Sequence, residues 1–257
     1  MHKIIEVHRK VKDNIGDCFS NPSRYFYFPN CNSQELIHNK SPLTSNTLVV
    51  GGGGLIHKKF QLHIQDLIKK NPKKIVLWGI GHNFGIKHIQ KTKGKVFFPD
   101  WIRECDLIGI RDYVPEYEGL YLPCASCMHF AFDKTYEEKQ EVGYFLHKFK
   151  TKIKETKDKT IMYNDEIDFE KTIEFLGSHK TIITDSYHGA YWAQLLGKNV
   201  QVVGWSVKFN HFKNPPIFLD NINQTPISSK NKIPYDFLLE CRKLNKDFYH
   251  KFLDTIS

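Results

Sequence analysis

Short runs of β-branched and aromatic residues alternate along the chain with segments in which apolar residues recur every three or four positions. In one segment of the second kind, Phe60, Ile64, Leu67 and Ile68 fall on one side of an amphipathic helix. The short runs predict strands at Tyr25–Phe28, Thr47–Val50, Lys74–Ile80, Lys95–Phe98, Asp106–Ile110, Val142–His147, Thr160–Tyr163, Thr181–Thr184 and Val200–Val203. This alternation predicts an α/β fold with mainly parallel sheets and helices on both faces.

The segment FDKTYEEKQE, residues 132 to 141, is the most polar break in the middle of the chain, and a new strand pattern follows it. We therefore predict two Rossmann-like domains, residues 1–134 and 135–257. A final helix is predicted over residues 234–253, with Pro234 suited to its first turn. Its apolar stripe consists of Phe237, Cys241, Leu244, Phe248 and Phe252. We expect this helix to cross back and dock on the first domain.

The net charge of the chain is +9, which favours an anionic partner or substrate. Nucleic acid, acidic lipid headgroups and phosphorylated metabolites all qualify, but there is no dense arginine block and no basic face interleaved with aromatic residues. We therefore expect no nucleic-acid partner, while peripheral contact with a membrane surface fits the charge. The six cysteines are too dispersed for a disulfide scaffold. With neither a signal peptide nor a long apolar run, a cytoplasmic location is predicted.

The most informative stretch is TIITDSYHGAYWAQLLGKNVQVVGW, residues 181 to 205. It predicts a buried strand, a polar turn at residues 185–189, a nearly all-apolar helix, Gly197 as the residue after the helix, and a second strand. Open α/β sheets bind ligands at such strand ends, and the N–H groups of a helix start favour an anion. The alternative is that Asp185 and Ser186 only cap the helix and that His188 is a core histidine.

Three further turns contain candidate functional residues. The first precedes the first predicted strand, and the other two lie at the ends of predicted strands. Asn14 and Asp17 bracket a glycine in DNIGDCFS, a pattern that an ordinary turn also explains. Four glycines, residues 51 to 54, imply a close approach either to another strand or to a sugar and its phosphate. In WGIGHN, residues 78 to 83, Trp78 could stack on a sugar ring or belong to the core.

Two more motifs bear on charge and metal binding. The strand in DLIGIRDY delivers Arg111 and Asp112 to the same sheet edge, where they could also simply pair with neighbours. Cys124, Cys127 and His129 supply three zinc-ligand types without a second pair at ligand spacing. We expect buried thiols there and no bound metal.

Taken in order, the motifs N-x-G-D, VVGGGGL, WGIGHN, IGIRD and ITDSYHGAYWAQLLGK resemble those of the polysaccharide pyruvyl transferase family, over about residues 13 to 205. The resemblance implies a glycosyltransferase-B-like architecture, with two Rossmann-like domains facing a cleft. It implies phosphoenolpyruvate as co-substrate, no resident cofactor, and a glycan or lipid-linked sugar as acceptor. The chain differs from many members at Ser186, where they carry an arginine. Either Arg111, Lys208 or another cation replaces that arginine, or the donor differs.

This resemblance and the chemistry of the donor assign expected roles to residues at the strand ends. His188 is the expected acid, and Asp185, Asp17 and Asp112 are candidates for the base. Expected donor-binding residues are Ser186, Tyr187, Gly189, Arg111, Lys208 and His211. Expected acceptor-binding residues are Asn14, Gly52, Gly53, Trp78, His82 and Asn83. The loops at residues 51–54 and 79–83 are expected to line the cleft.

Three functions are compatible with these patterns. A pyruvyl transferase is favoured by the ordered motifs. A glycosyltransferase with a nucleotide-sugar donor is the alternative on the same architecture, since a fold does not determine the donor. A non-catalytic module that binds glycan or nucleic acid is the third.

Overall fold

The computed structural model describes residues 3–37, 46–85, 98–150 and 159–257. The described chain forms two parallel five-stranded sheets in a mixed α/β arrangement. The first sheet has the order β2-β1-β3-β4-β5 and contains β1 (Ile4–His8), β2 (Cys31–Glu35), β3 (Thr47–Ile56), β4 (Lys74–His82) and β5 (Leu107–Ile110). The second has the order β10-β9-β8-β6-β7 and contains β6 (Gln140–Leu146), β7 (Thr160–Tyr163), β8 (His179–Thr184), β9 (Asn199–Val202) and β10 (Ile217–Phe218).

The described helices lie between and after these strands. They are α1 (Ile15–Cys18), α2 (Lys58–Ile68), α3 (Phe169–Gly177), α4 (Tyr187–Leu195) and α5 (Phe237–Ile256). Short 3₁₀ helices, among them Pro22–Arg24, Ala125–Met128 and Val207–His211, shape the connections. The apolar periodicity of α2 and α5 therefore predicted helices correctly.

Most of the predicted strands are present, with two exceptions. Tyr25–Phe28 is not a strand, because the 3₁₀ helix at Pro22 leads into a turn in which the N–H groups of Tyr25 and Phe26 both donate to the Pro22 carbonyl. The strand predicted at Lys95–Phe98 lies mostly outside the described residues. The pattern analysis missed β1, β2 and β10, of which β1 is fully buried.

The four consecutive glycines lie inside β3 and not after it. A Cβ atom on Gly52, whose φ is +57°, would lie 2.1 Å from the Ser20 carbonyl oxygen, and one on Gly51 would lie 2.6 Å from Pro22 Cδ. These glycines are therefore required by the close approach of the chain's own residues 20–22. The close approach is thus to the start of a 3₁₀ helix, and not to another strand as one of the two alternatives proposed.

Helix α5 packs against both halves of the molecule. Phe248 and Phe252 pack on Trp78 of β4, with ring centroids 4.8 and 5.8 Å apart. Phe237 and Cys241 belong instead to the core around α4. The chain passes from one sheet to the other between Ile110 and Gln140, an interval that includes the predicted boundary; the division at residue 135 stays a prediction.

Candidate functional site

A cavity lies where the carboxyl ends of the two sheets meet. Its empty volume is about 660 Å³, including the part open to solvent. Residues from the first sheet and its loops line one side: Arg9, Asn14, Asp17, Gly54, Leu55, Phe60, Asn83 and Arg111. Residues that follow strands of the second sheet, or open α4, line the other: His147, Asn164, Ser186, Tyr187, His188, Trp205 and Lys208.

Parallel topology explains why so many polar side chains converge here. All the described strands within each sheet run in the same direction, so residues just past their carboxyl ends reach one edge. Arg9 follows β1, Asn83 follows β4 and Arg111 follows β5, while His147 and Asn164 follow β6 and β7. Hydrogen bonds between the two sides join the edges: Asn164 Nδ2 donates to Asn14 Oδ1 at 3.3 Å, and the Ile15 N–H donates to the Asn164 carbonyl at 2.9 Å.

Helix α4 begins at the cavity with Ser186 as its N-cap. The Ser186 hydroxyl oxygen accepts a hydrogen bond from the Gly189 N–H at 3.4 Å, which is the capping contact that the sequence allowed. Ser186 also lines the cavity. The helix starts at Tyr187, three residues before the expected start, and Gly197 follows its end with a φ of +68°. Gly189 does not line the cavity. It packs against Phe145 instead, since a Cβ atom added to Gly189 would lie 2.4 Å from Phe145 Cδ1.

Asp185 lies behind the cavity and not on its surface. Its side chain is fully buried, and Oδ1 accepts a hydrogen bond from the His147 backbone N–H at 2.6 Å. Its backbone carbonyl accepts another from Trp205 Nε1 at 2.7 Å. Through these contacts Asp185 holds the two loops that contain His147 and Trp205. It was expected to contact substrate directly, but its side chain does not line the cavity.

Arg111 is the most unusual group at the site. The residue is only 2% exposed, and among the described residues its Nε and Nη1 donate no hydrogen bond. Its guanidinium carbon lies 3.9 Å from the centroid of the Tyr187 ring. A Cβ on Gly81 would lie 2.7 Å from Arg111 Nε, and one on Gly54 would lie 3.2 Å from Nη2. The glycines and the ring thus form a close-fitting slot that holds a buried guanidinium with unused donors.

Lys208 brings a second buried cation into the cavity. Its Nζ lies 4.0 Å from the centroid of the Trp205 ring and donates to Asn83 Oδ1 at 3.4 Å. Burial, reinforced by the positive charge of Arg111, lowers the pKa of Lys208 to about 7. The amine therefore titrates near neutral pH.

Asp17 is the acidic group that lines the cavity. Asn14 Nδ2 donates to its Oδ2 at 3.3 Å. Burial raises the pKa of Asp17 to about 6, against the opposing effect of Arg9, Lys208 and Arg111. The pKa values of Asp17 and Lys208, about 6 and about 7, thus both lie close to neutral pH.

His188 is 7% exposed, and its lowered pKa favours a neutral ring over the protonated form expected from the sequence. Burial lowers its pKa well below the ordinary value of 6.5, and the positive charges of Arg111 and Lys208 lower it further. The Nε2 atom lies 3.6 Å from Cys124 Sγ. An added Cβ on Gly16 would lie 2.0 Å from Nδ1, so only glycine fits beside this ring.

Trp78 does not reach the cavity and cannot stack on a sugar there. It is fully buried within a cluster of aromatic rings from Phe26, Phe28, Phe248 and Phe252. Its Nε1 donates to Asn245 Oδ1 of α5 at 3.0 Å. Strand β4 continues to His82, which leaves Trp78 four residues short of the sheet edge. The core alternative is therefore correct for Trp78.

The buried residues His82 and Asp112 and the half-buried His211 lie near one another, outside the residues that line the cavity. His82 Nδ1 lies 2.7 Å from Asp112 Oδ2, which also accepts the His82 backbone N–H at 2.6 Å. Burial alone would raise the pKa of Asp112, but the His82 hydrogen bond and neighbouring charges lower it. The His211 ring centroid lies 6.2 Å from that of His82. Gly52 and Gly53 likewise lie outside the residues that line the cavity.

Several lining residues were not identified from the sequence: Arg9, Leu55, Phe60, His147, Asn164 and Trp205. His147 and Asn164 directly follow β6 and β7, so the rule of strand ends would have selected them once those strands were predicted. Arg9 could not be found in this way, because β1 was itself missed. Burial, with Lys208 and Lys150 nearby, lowers the pKa of His147 to about 4, which keeps that ring neutral.

The cysteine motif lies behind His188 and not in a metal-binding arrangement. Cys124 accepts a hydrogen bond from the Ser126 hydroxyl at 3.2 Å, and His129 Nδ1 accepts one from the Ala131 N–H at 3.1 Å. Within the described part of the chain, no group of three or more His, Cys, Asp or Glu side chains is placed to hold a metal ion. The absence of bound zinc stays a prediction.

Comparisons with known proteins add little to this geometry. No protein-family model matches the chain, and no curated protein matches it. Among solved structures, it is similar to a functionally uncharacterized protein from Klebsiella pneumoniae, with 17% sequence identity, a TM-score of 0.48, and coverage of 85% of this chain and 92% of that one. Among the helices described, none is long and apolar enough to cross a membrane.

Proposed function

We propose that the cavity binds an anionic small molecule and that the protein is a transferase of the polysaccharide pyruvyl transferase type. Its donor would be phosphoenolpyruvate, and its acceptor a sugar of a cell-surface glycan or of a glycan precursor. The observation that carries the proposal is the buried Arg111, whose Nε and Nη1 have no described partner and which shares the cavity with a second buried cation. A buried charge without a partner is costly, and a bound anion would remove that cost.

The donor groups suit a molecule that carries both a phosphate and a carboxylate. A guanidinium binds either group through two parallel N–H donors, and Arg111 has unused donors of this kind. Lys208 supplies a point charge, and Ser186, Tyr187 and His188 at the start of the α4 helix line the same cavity. The resemblance of the sequence motifs to the pyruvyl transferases is what selects phosphoenolpyruvate among such anions.

The reaction removes one proton from each of two sugar hydroxyls, delivers one proton to carbon and leaves the other with the phosphate. A proton adds to the methylene carbon of phosphoenolpyruvate, and the neighbouring carbon becomes an oxocarbenium-like centre. A sugar hydroxyl attacks that carbon and loses its proton. The bond from that carbon to the phosphate oxygen then breaks, a second hydroxyl attacks the carbon to close a cyclic ketal, and its proton leaves with the phosphate. With pKa values of about 6 and about 7, Asp17 as carboxylate and Lys208 as ammonium are both abundant between those pH values.

We therefore assign the base to Asp17 and the acid to Lys208. The expected role of His188 as the acid is replaced, because its lowered pKa keeps the imidazole neutral. A neutral imidazole can still donate a hydrogen bond to a developing negative charge. Trp205 and Asn83, which line the same cavity, are the groups we assign to the acceptor sugar in place of Trp78.

A glycosyltransferase with a nucleotide-sugar donor is the second candidate, because the same cations could bind a diphosphate. The two candidates differ in what they release. A pyruvyl transferase liberates inorganic phosphate from phosphoenolpyruvate only when a sugar acceptor is present, whereas the alternative liberates a nucleotide.

The test is an assay of phosphate release with a panel of sugar acceptors, together with thermal-shift measurements for phosphoenolpyruvate, nucleotide sugars and oligonucleotides. We expect acceptor-dependent phosphate release by the natural protein and loss of at least about a hundredfold in Lys208→Met. Lys198→Met is the matched control, since Lys198 is an equally buried lysine outside the cavity that pairs with Glu138 at 2.9 Å. Stabilisation by nucleotide sugars alone would favour the second candidate.

A further inference from the structure

A chain of hydrogen bonds runs from the interior of α4 to His188. Trp192 Nε1 lies 2.9 Å from Ser126 Oγ, which lies 3.2 Å from Cys124 Sγ, which in turn lies 3.6 Å from His188 Nε2. Trp192, Ser126 and Cys124 are almost fully buried. The thiol cannot meet a substrate in the cavity, so its contact with the imidazole needs another explanation.

The indole N–H of Trp192 is the first donor in this chain, and the direction of the later bonds is read from it. An indole N–H can only donate, so Ser126 Oγ accepts from Trp192 and directs its own hydrogen to Cys124 Sγ. With the sulfur accepting from Ser126, its S–H is free to donate to His188 Nε2, and this is the direction that we adopt for the contact. In a neutral imidazole one nitrogen accepts and the other carries the hydrogen, so this direction places the proton on Nδ1.

We infer that Trp192, Ser126 and Cys124 are positioning residues that fix His188 as the tautomer with its proton on Nδ1, so that this nitrogen donates a hydrogen bond to the anion bound in the cavity. The neutral state of the ring agrees with its lowered pKa. The Nδ1 side of the ring lies against Gly16, in the turn whose neighbours Asn14 and Asp17 line the cavity. Within the described chain, no residue forms a hydrogen bond with Nδ1.

The tautomer has a consequence for binding. With the proton on Nδ1, His188 adds a neutral donor beside Arg111 and Lys208, without the repulsion that an imidazolium would suffer there. With the opposite tautomer, a lone pair would face the anion. The binding role rests on the proposed function, but the position of the proton does not.

Long-range ¹H–¹⁵N correlation spectra of histidine-labelled protein test the inference directly, since the two tautomers have distinct ¹⁵N shifts. The His188 signals are assigned from their absence in His188→Gln. We expect the proton on Nδ1 in the natural protein at pH 7, with and without inorganic phosphate. In Cys124→Ala we expect a shift toward the Nε2 tautomer, and in Cys124→Ser we expect recovery, because a hydroxyl again donates to Nε2.

The matched control is Cys18→Ala, whose thiol donates instead to the Val11 carbonyl and should leave the His188 spectrum unchanged. Calorimetry should show phosphate binding weakened about tenfold or more in Cys124→Ala and restored in Cys124→Ser. A proton on Nε2 in the natural protein, or an unchanged tautomer in Cys124→Ala, would overturn the inference. An Nδ1 proton in a protein that releases no phosphate from phosphoenolpyruvate would instead count against the proposed function alone.

Discussion

Replacing Arg111 by methionine should make the unliganded protein more stable and should abolish anion binding. Methionine keeps an unbranched side chain in the slot beside Tyr187 but carries no charge. Arg111 is almost fully buried, and its Nε and Nη1 donate to no described group. A structural arginine behaves in the opposite way, because its removal breaks the bonds it makes.

The magnitudes follow from the contacts of Arg111. Each buried donor without a partner costs about 1–3 kcal/mol, and the contact with the Tyr187 ring returns about 2 kcal/mol when it is desolvated. For the two donors the balance raises the free energy of unfolding in Arg111→Met by about 2 kcal/mol, the middle of the range that these magnitudes give. For a protein of this size that is a rise in Tm of about 4–8 °C. Loss of two charge-assisted hydrogen bonds, about 3 kcal/mol together, weakens anion binding at least about a hundredfold.

Differential scanning calorimetry and titration with inorganic phosphate or phosphoenolpyruvate measure the two effects on the same preparation. Arg242→Met is the control, because Arg242 Nε and Nη2 donate to the carbonyls of Cys127 and His129 at 2.9 and 3.2 Å. That variant should lose stability and keep its anion affinity. The reasoning is refuted if Arg111→Met melts several degrees lower while it binds phosphate as the natural protein does.

Three further outcomes are expected. The kcat/KM for phosphoenolpyruvate should be bell-shaped, falling below about pH 6 as Asp17 gains its proton and above about pH 7 as Lys208 loses its charge, and a flat profile would exclude this pair. Gly16→Ala places a methyl group 2.0 Å from His188 Nδ1, so a crystal structure should show the ring displaced and titration should show weaker phosphate binding. An unchanged ring position together with unchanged phosphate affinity would contradict this expectation. Trp78→Ala should lower the free energy of unfolding in denaturant by about 3–5 kcal/mol and leave phosphate affinity unaltered; a changed affinity at full stability would return Trp78 to the site.

The sequence predicted most of the strands that are buried and rich in β-branched residues, but not β1, an interior strand of the first sheet. Charged and polar residues interrupt its pattern, since Glu6 and His8 lie among its isoleucines and valine. Glu6 is fully buried because its carboxylate accepts hydrogen bonds from the backbone N–H and the hydroxyl of Ser23. A contact between residues 17 positions apart leaves no trace in a local pattern of hydrophobic and polar residues.

The site followed from topology where strand ends were placed correctly. Arg111 comes directly after β5, whose end at Ile110 was predicted correctly, and it lines the cavity. Trp78 was misplaced because β4 runs two residues beyond its predicted end at Ile80, and each residue of a strand adds about 3.3 Å between Trp78 and the edge. An error of two residues in a boundary is therefore enough to move an aromatic side chain from the cavity to the core.

The serine at position 186 can now be related to the arginine found there in the pyruvyl transferases that the motifs resemble. Ser186 caps α4, and the next residue, Tyr187, carries the Arg111 guanidinium on its ring face. A second guanidinium at position 186 would repel Arg111 within the same cavity, where Lys208 already adds a positive charge. Arg111 is thus supplied from the first sheet, and Lys208 and the helix start from the second. An anion held by both would join the two sides of the cavity, which makes its binding depend on how closely they approach.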